Sequence, residues 1–312
     1  MSFKGDLIKA GIGTDGKNVN VFNGTLAARN LLVPLGNVYY VDKGVTASGN
    51  GRSWLQAFKT IQEAVTQTNS DLDWSADPWL LDSWIFIAPG TYVEAITPPY
   101  SCHMVGLGHH GTDGVAEIAP GDGDGAAITG TGLGLELRNL RFEAYDAGPV
   151  LDFGICNNVI IDGCQFAPAN AQVTHAISTE NASHLQVKNC LFSSGLGTPG
   201  FSHILYAAGG ADKYLFSSTI ENNIMSGLVS GGTAIYIQSN CTATETFIVN
   251  NIIRVPGSGK GIDDNNGNTM CIGNHIAVGS GGDAIEHAGG NAYLIDNHVN
   301  VNGTGGIEVT SS

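Results

Sequence analysis

The chain has 312 residues, of which 44 are glycine, and sets 13 lysines and arginines against 28 aspartates and glutamates, for a formal net charge of −15. That balance argues against nucleic acid, whose phosphates are bound by arginine and lysine, and against a strongly anionic polysaccharide unless cations bridge it to the protein. An apolar content of 42 % excludes wholesale disorder, no apolar run is long enough to span a bilayer, and no G-X-Y period suggests collagen.

Residues 1–36 match nothing that follows and are set apart from a domain spanning 37–312. Within them, 19–25 read as a strand and turn and 27–34 as an apolar arm. The opening Met1-Ser2-Phe3-Lys4-Gly5-Asp6 has no apolar signal region, so the expectation is a protein that leaves its cell without Sec-type secretion.

The domain begins with the strand Val38-Tyr39-Tyr40-Val41 and a polar loop through Gly51. Leu55, Phe58, Ile61, Ala64 and Val65 then recur at helical spacing, which predicts an amphipathic helix near 54–66 with Ser53 as N-cap. An insertion at 67–83 carries Trp74 and Trp79, and the strand Trp84-Ile85-Phe86-Ile87-Ala88 follows, closed by Pro89-Gly90.

From about residue 133 one short pattern recurs. It appears as Leu137-Arg138-Asn139-Leu140-Arg141-Phe142, Ile161-Asp162-Gly163-Cys164-Gln165-Phe166 and Val187-Lys188-Asn189-Cys190-Leu191-Phe192. Later copies centre on Asn223, Asn251, Asn274 and Asn297, and the centres are separated by 24, 26, 34, 28, 23 and 23 residues. Such periods belong to solenoids. Short alternating segments between Gly, Asn and Ser clusters are a strand-and-turn signature, and no helical pattern intervenes to make a βαβ unit. The expectation is an all-β parallel β-helix of about nine coils. The early helix would cover its open end, because a terminal coil exposes unpaired backbone and apolar side chains. Asn139, Asn189, Asn223, Asn251, Asn274 and Asn297 are expected to stack as one ladder, interrupted by Gly163. Cys164 and Cys190 share one repeat position and read as reduced interior thiols rather than a disulfide.

Tyr40-Val41-Asp42, Ser53-Trp54, Ala57-Phe58, Thr60-Ile61-Gln62-Glu63-Ala64-Val65 and Ala88-Pro89-Gly90-Thr91-Tyr92-Val93-Glu94, together with the repeats, resemble the pectate-lyase-like superfamily of right-handed β-helices. An unrelated N-terminal piece joined to such a helix resembles bacteriophage tailspikes and other virion β-helix proteins. The resemblance implies the fold and leaves activity open, since enzymes and inert structural proteins share this entry module.

A polysaccharide lyase of this fold would need a base and a carboxylate cluster for calcium. Arg254 and Lys260 ahead of Asp263-Asp264 are the nearest approach. A glycoside hydrolase needs two carboxyls at a set separation; Asp263-Asp264 resembles the paired aspartates of polygalacturonases, with Asp283 and Glu286 about one coil later, but the flanking motifs are not recognisable. Alternation along a strand sends Asp263 and Asp264 to opposite faces unless they sit in a bend, and Gly261 with Asn265-Asn266-Gly267 predicts such a bend. Asp122 and Asp124 in Gly121-Asp122-Gly123-Asp124-Gly125 resemble a calcium loop, although a plain turn is the simpler reading. His109-His110 offers two diverging imidazoles with no third ligand. His275 and His298 fall at one repeat position, where a histidine ladder would sit on the outer face. Trp74, Trp79, Tyr92 and Tyr100 are candidates for a sugar-stacking platform.

These readings favour a bacteriophage virion structural or adhesion protein, a capsid decoration or tailspike-like chain that binds host glycan. The rival is a polysaccharide lyase or glycoside hydrolase acting outside the cell. No organic cofactor is implied, and calcium is the ion such carboxylates would take. The expected partners are other copies of the chain, as a homotrimer covering the last coil, virion proteins reached through residues 1–36, and polysaccharide; nucleic acid and membrane are not expected.

Overall fold

The structure is a computed structural model. It describes residues 20–22, 25–27 and 35–310, apart from short stretches at 72–81, 109–113, 145–146, 170–172 and 195–199 and the single residues 211, 266, 290 and 304. Trp74, Trp79, His109, His110 and most of residues 1–36 therefore lie outside the described residues. Within 1–36, Asn20–Phe22 pairs antiparallel with Thr25–Ala27 as a short hairpin.

From Leu35 the chain winds as a right-handed parallel β-solenoid, consistent with the pectate-lyase-like superfamily in general. Among the described residues, nine strands form one face, from Gly90–Tyr92 and Ala116–Ile118 to His275–Val278 and His298–Val301. Each pairs in parallel with its counterpart one coil away; Arg141, for example, lies opposite Gln165, and His275 opposite His298. A second, longer sheet wraps the remaining faces. Alternation does the sorting: in Ile252–Val255, Ile253 and Val255 are buried while Ile252 and Arg254 face out.

Inside, like sits on like. Phe142, Phe166 and Phe192 form a stacked column, with ring centroids 5.2 and 4.7 Å apart. Cys164 and Cys190 are buried reduced thiols rather than a disulfide, and they donate to backbone carbonyls, Cys164 to Leu137 O at 3.4 Å and Cys190 to Lys188 O at 3.2 Å. Burial pushes the Cys164 thiol well up, which keeps it protonated and inert.

The asparagines occupy two rows rather than one. Asn139, Asn189, Asn222 and Asn250 sit at a bend with φ between 52° and 55°, a column completed by Gly163, Gly273 and Asp296. The next residue along carries the interior ladder, which consists of Asn223, Asn251, Asn274 and Asn297. Asn251 Oδ1 accepts from both the backbone and the side-chain nitrogen of Asn223 at 3.0 Å, and Asn251 in turn donates to Asn274 Oδ1. Asn139 and Asn189 therefore belong to the bend and not, as the repeat alignment predicts, to the ladder; the interior row continues upward as Cys190 and Cys164. The cause is local. A left-handed bend position favours Asn, Asp or Gly, and the interior position beside it, filled by Leu140 in the uppermost of these coils, is further down a thiol or an amide that bonds the backbone of the coil above. At Gly273 a Cβ would lie 2.4 Å from Asn250 Oδ1, the end of a side chain that can turn aside, so it is the φ of 63° that favours glycine there.

The entry helix is shifted from its predicted place. Trp54–Gln56 is only a 3₁₀ turn, Leu55 is 96 % exposed, and the α-helix runs Ile61–Ser70. Ser53 makes no side-chain cap, whereas Thr60 and Glu63 form a reciprocal capping box. Phe58 is drawn into a β-bridge with Val41, which breaks the apparent helical periodicity. Glu94, from the loop after the strand Gly90–Tyr92, closes the helix start by accepting from Ile61 N at 2.8 Å and Gln62 N at 3.0 Å. Burial raises the Glu94 pKa in spite of those two bonds. Ile61, Ala64, Val65 and Thr68 pack against the strands Leu35–Val41 and Asp82–Ile87, covering the first coil.

Candidate functional site

The predicted aspartate pair is split by the strand it lies on. Asp263 and Asp264 end the strand Lys260–Asp264 with no bend between them, so they point to opposite faces. Asp264 turns inward and is fully buried, where Thr269 Oγ1 donates to it at 2.7 Å and His287 Nε2 lies 3.2 Å away. It has no access to a polymer outside.

Register places Asp263 opposite Glu286 and Glu286 opposite Glu308. Lys260 Nζ donates to Asp263 Oδ2 at 2.8 Å and reaches Glu286 Oε2 at 2.6 Å, while Asn265 donates to Asp263 Oδ1 at 2.8 Å. Burial raises the Asp263 pKa against the pull of Lys260, and the Glu286 carboxylate adds to the rise. Burial also works against the Lys260 charge, but its two carboxylate partners outweigh it and lift the Lys260 pKa. Asp283, Glu286 and Glu308 offer carboxylate oxygens within 4.8 Å of one another, a half-buried to exposed group that could hold a metal ion.

The same outward rows continue up the solenoid as aromatic rings. Asp263 lies opposite Tyr236, and Tyr236 opposite Tyr206; one row over, Lys260 lies opposite Thr233, then His203, then His175. His175 stacks on Tyr206 with centroids 4.3 Å apart and planes 3° apart, and His203 on Tyr236 at 4.9 Å and 18°. Tyr206 donates to Gln238 Oε1 at 2.8 Å. A stripe of rings thus runs into the Lys260–Asp263–Glu286 group along a single outer face.

Of the other predicted residues, Arg254 lies on the nine-stranded sheet, in a shallow groove with Ser226, Pro256, Ala277 and Asn300, and does not join Lys260. Tyr92 is a core residue, 2 % exposed, whose hydroxyl donates to Ala88 O, and it is not available as a sugar platform. Tyr100 is half-buried in the turn before Cys102–Gly106. Asp124 accepts from Gly121 N at 2.9 Å, closing its own turn; it and Asp122 are absent from the carboxylate group above. His275 and His298 do stack on the outer face, at 4.3 Å. Trp84 faces outward as well, stacked on His103 at 4.1 Å.

His175, His203, Tyr206 and Tyr236 are not singled out by the main repeat. Their signal is a second repeat, seen in Ala176-Ile177-Ser178, Ile204-Leu205-Tyr206, Ala234-Ile235-Tyr236, Gly261-Ile262-Asp263 and Ala284-Ile285-Glu286, whose third residue marks the outer face. No known protein family, curated protein or solved structure matches the chain.

Proposed function

We propose that the chain is a glycan-binding adhesion protein whose binding face is the outward stripe from His175 and Tyr206 to Asp263 and Glu286. The observation that carries this reading is the continuity of aromatic and charged side chains in register along the solenoid axis. Strands one coil apart repeat at about 4.8 Å, so an extended polymer lying along the axis meets hydroxyl, imidazole and carboxylate groups at regular intervals. The net charge of −15 favours an uncharged glycan. Calcium held by Asp283, Glu286 and Glu308 belongs to the same reading, as a bridge to any carboxylate on the polymer.

The setting we favour is a virion, in which residues 1–36 attach the chain and a trimer brings other copies against the last coil. Tyr293, Ile295, Ile307 and Val309 are each about half exposed there. Copurification with virus particles and the mass in solution test that setting separately from binding.

A second reading, hydrolysis or elimination on the same face, is favoured by one feature. Asp263, its pKa raised by burial, shares Lys260 with Glu286, which places two carboxyls side by side on one ammonium. A panel of capsular and algal polysaccharides decides between the two readings when retention, new reducing ends and unsaturated-uronate absorbance are followed together. We expect retention without products, weakened about tenfold or more by Tyr236→Ala or Glu286→Ala. Turnover lost in Asp263→Asn replaces adhesion by catalysis; failure to retain any glycan overturns both.

A further inference from the structure

We propose that His175 and His203 form a two-imidazole site for a transition-metal dication of the zinc, nickel or copper class. The two residues face each other from the registered strands Val173–Ser183 and Phe201–Ala207, and their Nδ1 atoms are 3.1 Å apart. Two nitrogen ligands of a tetrahedral zinc, each at 2.0–2.1 Å, lie about 3.3 Å from one another. The imidazoles are thus already at ligand separation. Without a cation, a single proton between the two nitrogens is the most the pair can share.

Their orientation is fixed by packing. His175 lies flat on Tyr206 and His203 on Tyr236, so neither ring has to be ordered by the ion. Burial, together with the neighbouring imidazole, lowers the His175 pKa to about 4, and burial does the same for His203. The nearest cation in the row is Lys260, two coils on, and its charge is held by Asp263 and Glu286. No carboxylate stands in the row between them, so water or an incoming ligand completes the coordination. This site stands on the imidazole pair alone and does not depend on the glycan reading.

The chain carries its own control. His275 and His298 are also neighbours in register, but their rings are tilted 33° with centroids 4.3 Å apart on an exposed surface. The experiment is calorimetric titration of the full chain with Zn²⁺ in the absence of glycan, with excess Ca²⁺ present to occupy the hard carboxylate oxygens of Asp283, Glu286 and Glu308. Binding of one ion per chain, weakened about tenfold or more by His175→Asn and by His203→Asn and unchanged by His275→Asn, is expected. With Cu²⁺ in place of Zn²⁺, the electron paramagnetic resonance spectrum should show two nitrogen couplings. Absence of Zn²⁺ binding, or binding that survives both substitutions, overturns the proposal, as does loss through His275→Asn instead. Should His175→Asn fail to fold, diethyl pyrocarbonate labelling of the unsubstituted chain takes its place. Protection of His175 and His203 by Zn²⁺ then supports the site, and equal labelling with and without the ion removes it.

Discussion

The upper and lower coils solve the same packing problem with different chemistry. Around Cys164 and Cys190 the interior is aromatic and thiol, with the Phe142–Phe166–Phe192 column beside two cysteines. Around Asn251 and Asn274 the matching positions hold a hydrogen-bonded amide ladder beside Met225, Ile253 and Ile276. The junction is explicit: Asn223 Oδ1, the top of the ladder, accepts from the backbone nitrogen of Cys190 at 2.9 Å. A solenoid asks only that each coil match its neighbours, because contacts do not reach beyond them. One chain can therefore be held by dispersion and apolar burial in one part and by amide bonds in another.

If that contrast is right, the largest effect should come from the aromatic column. Phe166→Ala removes the middle ring, which touches both neighbours, and should cost about 4 kcal/mol in urea unfolding. A cost under about 1 kcal/mol would mean that the upper coils collapse around the gap and that the column is not what holds them.

The ladder gives the next test. Asn251→Ala leaves the Asn223 backbone N–H and one N–H of its amide without an acceptor and takes a donor from the Ile220 carbonyl, while Asn274 Oδ1 keeps the Asn251 backbone N–H. The expected cost is about 3 kcal/mol. Asn297→Ala, at the half-exposed foot of the ladder, should cost about half as much, because water can replace what is lost there. Equal losses at the two positions would show that the ladder acts as a unit and not coil by coil.

The sequence made the winding legible and the phase of its rows less so. Ile161, Val187, Ile220 and Ile248 mark the inward positions without ambiguity, since a one-residue slip would turn every one of them to solvent. The Asn222-Asn223 and Asn250-Asn251 doublets, by contrast, place the same residue type at the bend and in the ladder, so aligning Asn139 with Asn223 is off by one although the pattern looks unbroken. The helix start was readable in principle from Thr60-Ile61-Gln62-Glu63, but the apolar spacing of Leu55 and Phe58 competed with it, and only the bridge to Val41 decides the matter. For the candidate site, Gly261 and Asn265-Asn266-Gly267 suggest a bend joining Asp263 to Asp264, but the strand runs unbroken through Asp264 and alternation splits the pair. The ring stripe was not legible, because loops of unequal length separate His175, His203 and Tyr236 in the chain and hide their common register.

The smallest effect concerns two charged groups on the outer face, one on each side of the same divide. On the upper coils Glu136 is paired with His103 and Arg138, and the His103 bond, outweighing the opposing effect of burial, holds its carboxyl below the usual 4.5. A carboxyl with a lowered folded pKa contributes stability above its unfolded value and loses it as the pH falls through the folded one. Asp263 on the lower coils is the reverse: burial raises its pKa above the usual 3.8, so its ionisation opposes folding, and that opposition fades as the pH falls through the raised value. Glu136→Gln should therefore flatten the loss of stability below about pH 4.5, whereas Asp263→Asn should steepen it by removing a group that gains on protonation. Each change should be under about 1 kcal/mol, since Arg138 and Lys260 both retain contact with water. Urea midpoints between pH 3 and pH 7 would measure both; slopes that move in the same direction for the two variants would show that the carboxyls sit in equivalent environments after all.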